Sequence, residues 1–198
     1  MSVSILPKAF EAKRTHLLMG NPMEKVIAEQ VTDEIKLAIR SMLNDRPELM
    51  AGQIAAELAV TELEVVSQLP EGQFSLLDLS EKDSLLEELP TWGAMTTIIS
   101  VSGSIFEFKG AFPKGKYAHG YYNLITKGEG LHGHLKLDDV SAIALLSRPF
   151  RGQESHAFNF FGAKGEVVFK IYLGRDKKRV LIPEQVSRFK ALKQLSAV

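Results

Sequence analysis

The chain has no cysteine. That excludes a disulfide, a thiolate metal site, a thiol nucleophile and any cofactor attached through thioether bonds. It also has no excess of either charge: 24 lysines and arginines face 24 acids, so no summed field draws it to nucleic acid, and any basic function must be local. No apolar run approaches the ~18 residues needed to span a bilayer. The start, MSVSILPKAFEAKRTHLLMGNPMEKV, lacks the continuous apolar stretch of a secretory signal. The expectation is a cytoplasmic protein without a membrane partner. Nucleophile-elbow, HExxH and Walker-type motifs are absent too, and Gly128 and Gly130 lie between strand-like runs instead of opening a helix, so nothing argues positively for an enzyme.

What remains is an ordinary globular composition. In 198 residues, 45% are hydrophobic and 24% charged, enough for one main core, with or without a small helical appendage. Residues 1–22, which carry Pro7, Gly20 and Pro22, read as a flexible leader. Residues 23–70 read as a helical unit, and 71–198 as an α+β domain expected to form one compact body with it. From Met23 to about Asn44 the apolar residues Val26, Ile27, Val31, Ile35, Ile39 and Leu43 recur at the spacing of one helical face. A second helix is expected over Ala51 to Leu58. Thr61 can cap a third, Glu62 to Leu69, with Glu64 at its N3 position, and Pro70 ends it.

FSLLDL after Phe74 predicts a strand, and Ser80 is expected to open a helix that stops near Pro90 and Trp92. The runs MTTIISVSGSIFEFKGAF, YYNLITKGEGLHGHLKL, VSAIALLS and HAFNFFGAKGEVVFKIYL are rich in β-branched and aromatic residues and are broken by glycine turns, so they predict a mainly antiparallel sheet. Pro183 suits the first turn of a last helix to about Leu195, with Val186, Phe189 and Leu192 as its apolar face.

Four groups of residues could carry chemistry. Ala51 to Leu69 has the outline of a helix-turn-helix, but between Pro47 and Pro70 stand four glutamates and no lysine or arginine to meet a phosphate, so DNA binding is disfavoured. His132 and His134 flank Gly133; in a strand at ~3.3 Å per residue their side chains would lie ~7 Å apart on one face, and a metal would still need a third ligand. His119, Gly120, Tyr121 and Tyr122 are expected to open a strand whose alternation sends the two tyrosines to opposite faces. Arg175, Lys177, Lys178, Arg179, Arg188, Lys190 and Lys193 form a local basic patch that can meet an anionic ligand, an acidic partner or only water. Phe106, Phe108, Phe158, Phe160, Phe161, Phe169 and Tyr172 can wall a flat ligand or build a sheet core.

The blocks LPTWG, GYYNL, HGHLK and YLGRD, read with their surroundings from about residue 47 to 195, resemble the cytosolic haem-utilisation carriers of the HutX/ChuX family. The resemblance implies a non-catalytic carrier that binds b-type haem reversibly and delivers it to a haem-degrading partner enzyme. The alternatives are a haem-degrading enzyme and a haem-responsive helix-turn-helix regulator. It implies a fold similar to one half of the duplicated haem-degrading proteins of the HemS/ChuS type, and hence a homodimer. Some members carry a histidine after the TTxx segment, where this chain has Ser100, a poor iron ligand. The iron ligand is therefore expected to be Tyr121 or His134. Tyr121 is preferred because a phenolate stabilises ferric haem and lets reduction assist release. His132, His119 and Arg175 are the further residues expected to contribute to haem binding.

Overall fold

The structure is a computed structural model that describes residues 31–196. The leader expected over 1–22, and the first turns of the helix expected from Met23, lie outside the described residues. Helix α1 spans Asp33–Asp45 and starts later than its apolar repeat predicts. The reason is local: the Thr32 side chain accepts a hydrogen bond from the Ile35 amide, and Asp33 and Glu34 fill the first turn, where the helix dipole favours acids. Helix α2 is Ala51–Leu58, and α3 is Glu62–Ser67 with the expected Thr61–Glu64 capping box. Ile39, Leu43, Ile54, Ala55 and Val65 pack the three helices against one another.

Strand β1 is Phe74–Leu77. The helix expected from Ser80 begins instead as a 3₁₀ turn, Leu79–Glu81, because Asp78 holds the Ser80 amide; α4, Lys82–Glu88, then follows. The strands β2 (Ala94–Val101), β3 (Ser104–Ala111), β4 (Lys114–Ala118), β5 (Tyr121–Ile125), β6 (Gly133–Leu135), β7 (Val140–Leu146), β8 (Ala157–Gly162) and β9 (Val167–Tyr172) come next, then α5, Pro183–Ser196. They form two sheets: a six-stranded one ordered β1-β7-β8-β9-β2-β3 and a three-stranded one ordered β4-β5-β6. Every pairing is antiparallel.

The large sheet is covered on both sides at its β1-β7-β8 end. Leu63 and Val66 of α3 pack on Leu76, Ala142, Ala144, Leu146 and Phe161 on one face. There Lys170 pairs with Glu62, and the Leu63 amide donates to the Gly165 carbonyl. The opposite face carries the main core, where Ile143, Leu145, Phe158, Phe160, Phe169 and Ile171 meet Leu85 and Leu86 of α4, Phe189 and Leu192 of α5, and Tyr122 and Leu124 of the small sheet. Strand alternation explains the division: Phe158 and Phe160 point to one side, Phe161 to the other. Of the aromatic residues noted from sequence, these three and Phe169 are core, while Phe106 and Phe108 stand exposed on the edge strand β3.

Helix α5 is fastened by one polar side chain. Gln185 is only 1% exposed; its amide NH₂ donates to the carbonyls of Trp92 and Ala94, and its Oε1 accepts from the Gly174 amide. The chain passes so closely here that a Cβ on Gly174 would lie 1.9 Å from the Ala94 carbonyl oxygen.

Candidate functional site: the outer face of the small sheet

The sequence KGKYAHGYYNL folds on itself as a hairpin. Ala118 pairs with Tyr121, so His119 and Gly120 are the two-residue loop and not, as expected, the opening of a strand. Both have positive φ, 54° and 76°, which a type I′ turn requires and which Gly120 adopts without strain. From Tyr121 onward alternation decides which groups are available. Tyr122 and Leu124 turn inward to the main core, whereas Tyr121 is 42% exposed and shares the outer face with Asn123 and Ile125. Gly115 makes the inward turn possible, since a Cβ there would stand 1.9 Å from the Tyr122 ring. Tyr117 pairs with Tyr122 at the rim, and its hydroxyl donates to Asp83 at 2.6 Å on α4; burial, reinforced by that carboxylate, pushes its phenol well above the ordinary range.

Strand β6 brings the second expected group. His134 pairs with Asn123, which places its ring beside that of Tyr121, with centroids 6.1 Å apart in an edge-to-face arrangement. Asn123 ties these parts together: its NH₂ lies 3.0–3.1 Å from the carbonyls of Lys116, Ala118 and Tyr121, and its Oδ1 lies 2.5 Å from His134 Nδ1. Lys136 stands over the Tyr121 ring at 5.6 Å and donates to the Gly120 carbonyl at 3.1 Å, with Asp138 at 3.7 Å. One exposed face thus collects a phenol, an imidazole and an ammonium group. Asn123 and Lys136 were not singled out from sequence. The signal was there for Asn123, since it is two residues from Tyr121 and so on its face of the strand.

The other expected residues lie differently. His132 precedes β6, so the two histidines do not share a ladder, and its Nε2 donates to the Gly128 carbonyl at 3.1 Å. His119 sits at the hairpin tip, exposed. Ser100 is exposed on β2 opposite Ile105, in the large sheet. Among the described residues no group of three or more histidines and acids is gathered closely enough to hold a metal ion by itself. A surface hollow lined by Arg40, Asn44, Gln68 and Pro70 belongs to the helical unit, not to this face.

Arg175 is not brought to Tyr121. Its guanidinium donates to the carbonyls of Glu154 and Arg179, within a second polar cluster that staples α5 to the loop between β7 and β8. There buried His156 bonds Ser147 through Nδ1 at 3.0 Å and Glu154 through Nε2 at 2.9 Å. Lys190 and Lys193 reach in from α5 to Glu154 and Ser147. Burial pulls the imidazole of His156 below its ordinary range and Lys193 down to about 8, while the His156 hydrogen bond holds the Glu154 carboxyl low.

Comparison with known proteins follows the same lines. The family model for haem utilisation ChuX/HutX matches residues 75–192, a span that runs from β1 into α5. The intracellular haem transport protein HutX of Vibrio cholerae is 51% identical over 166 residues, which is 84% of this chain and 86% of that protein. The crystal structure of ChuX superposes with a TM-score of 0.73 at 34% identity, covering 80% of this chain and 98% of that one. The haem-degrading enzyme ChuS of Escherichia coli shares the fold at a TM-score of 0.65 and 16% identity; 80% of this chain covers 46% of it, the half-size relation expected from sequence. With its α+β architecture, its two antiparallel sheets and this match along most of its length, the chain belongs to the ChuX/HutX family of haem utilisation proteins.

Proposed function

We propose that the chain is a non-catalytic haem carrier of the cytoplasm, which takes up b-type haem reversibly and yields it to a haem-degrading partner enzyme. The observation that carries this reading is the pairing of Tyr121 and His134 on an open face. A phenol and an imidazole are the oxygen and nitrogen donors that haem iron accepts, so the donor set fits the cargo. Lys136 supplies a cation beside them for a carboxylate of the ligand, and the exposed Ile125 supplies apolar surface. The absence of cysteine rules out thioether attachment of the haem. Tyr121 is assigned the iron, as an anionic oxygen that favours the ferric state, and His134 stands next to it; His132 and His119 are the weaker substitutes. Exposure of the pair suits release, since a partner can reach the ligand without the core opening.

We also infer a homodimer. The chain spans less than half of the ChuS length, and its edge strand β3 leaves Ile105, Phe106 and Phe108 uncovered, a surface that a second copy would bury. The experiment that separates carrier from degrading enzyme adds reductant and oxygen to the purified ferric complex, whose assembly is read by light scattering. The expected outcome is a Soret band that persists, in a particle of twice the 21.9 kDa chain mass. Loss of the band with appearance of a bilin would make the chain an enzyme.

A further inference from the structure

We propose that Asn123 is the positioning residue of this face, holding His134 in the tautomer with its proton on Nδ1, so that Nε2 carries the lone pair on the Tyr121 side of the sheet. The inference rests on the haem-carrier reading only for its purpose, not for its geometry.

Three backbone carbonyls, those of Lys116, Ala118 and Tyr121, surround one end of the Asn123 side chain at 3.0–3.1 Å. Carbonyl oxygens only accept, so that end must be the NH₂; the flipped amide would set its oxygen against three others. The opposite end is then Oδ1, which also only accepts. It lies 2.5 Å from His134 Nδ1, and a contact that short between an oxygen acceptor and a ring nitrogen requires the proton on Nδ1. In neutral imidazole one nitrogen donates and the other accepts, so Nε2 is left unprotonated. The tautomer of an exposed histidine is thus set by three carbonyls of the neighbouring hairpin.

The consequence concerns what His134 can do. With Nε2 bare, the ring can accept a hydrogen bond from the Tyr121 hydroxyl, take its proton when the phenol becomes a ligand, or itself bind a metal. With the proton on Nε2 the lone pair would sit on Nδ1, against the Asn123 oxygen, and Nε2 could do none of these while the ring is neutral. A free histidine in water favours the Nε2–H form, so Asn123 works against the intrinsic preference. Because the same amide closes the Ala118–Tyr121 turn, the orientation of the imidazole and the path of the chain at Tyr121 are fixed together. Removing a partner that orients a metal-ligating side chain typically changes affinity roughly 10–100-fold; Asn123 acts one step further from the iron, through His134, so its effect is bounded by that of the imidazole.

The test is long-range ¹⁵N–¹H NMR of the histidine ring in the haem-free, full-length protein at alkaline pH. The expected result is Nδ1–H for His134 in the wild type and a shift toward Nε2–H in Asn123→Ala. Haem dissociation should quicken in Asn123→Ala by no more than the roughly tenfold expected for loss of the imidazole itself. An Nε2–H signal for His134 in the wild type overturns the proposal, whether or not the variant folds. So does a His134 tautomer unchanged in a folded Asn123→Ala. Since the tautomer is read without haem, its failure is distinguishable from failure of the carrier reading.

Discussion

Replacing Tyr121 by Phe should change the ferric absorption spectrum of the haem complex and speed haem loss about a hundredfold, equivalent to ~2.8 kcal/mol of binding energy. The ring, the strand and the turn survive that substitution; only the oxygen goes, because Tyr121 projects from the exposed side of β5 and its hydroxyl is not part of the core. His134→Ala should leave the ferric spectrum recognisably that of an oxygen-ligated haem and quicken loss by roughly tenfold, the smaller effect of removing a neighbour of the ligand. The two variants divide the assignment. A ferric spectrum untouched by Tyr121→Phe and abolished by His134→Ala would transfer the iron to the imidazole. No change in either would move the site off this face altogether.

The largest loss of stability from a single polar side chain is expected at Gln185. Its one amide serves the carbonyls of Trp92 and Ala94 and the amide of Gly174, all in a region that packs too tightly for a Cβ at Gly174. Gln185→Ala strands three backbone groups, and at ~1–3 kcal/mol for each buried group left unpaired, partly relieved by water entering the space, the net cost should be about 3 kcal/mol. For a chain of this size that is a fall in Tm of roughly 6–12 °C. Denaturation of the haem-free protein measures it. A cost under ~1 kcal/mol would mean that water replaces the amide without penalty and that the three bonds do not hold α5 in place.

Where the determinants are local, the sequence was readable. Thr61 and Glu64 lie three residues apart and form their capping box in isolation from the rest; Pro183 starts α5, and Val186, Phe189 and Leu192 lie along its apolar side. The alternation that separates Tyr121 from Tyr122 is likewise a property of the strand itself. What could not be read depends on pairing that the residue pattern does not announce. β4, with the sequence KGKYA, has almost no apolar alternation to announce it, and its existence follows from its hydrogen bonds to β5, so the division into two sheets was invisible. Arg175 was grouped with a basic patch by proximity in sequence, but its partners are the carbonyls of Glu154 and Arg179, the first 21 positions away.

The family blocks also divide once their contacts are known. LPTWG and YLGRD meet at Gln185, which ties Trp92, Ala94 and Gly174 together, so these blocks carry the fold. GYYNL and HGHLK meet at Asn123 and His134, and these carry the face proposed to bind haem. A resemblance spread over both kinds of block identifies the family without saying which residues touch the ligand.

The most direct test of the account is titration of the purified protein with hemin, followed by absorption spectroscopy. The account predicts a sharp Soret band that saturates at one haem per chain, in a ferric spectrum that Tyr121→Phe alters. A spectrum that remains that of free hemin throughout the titration would contradict it.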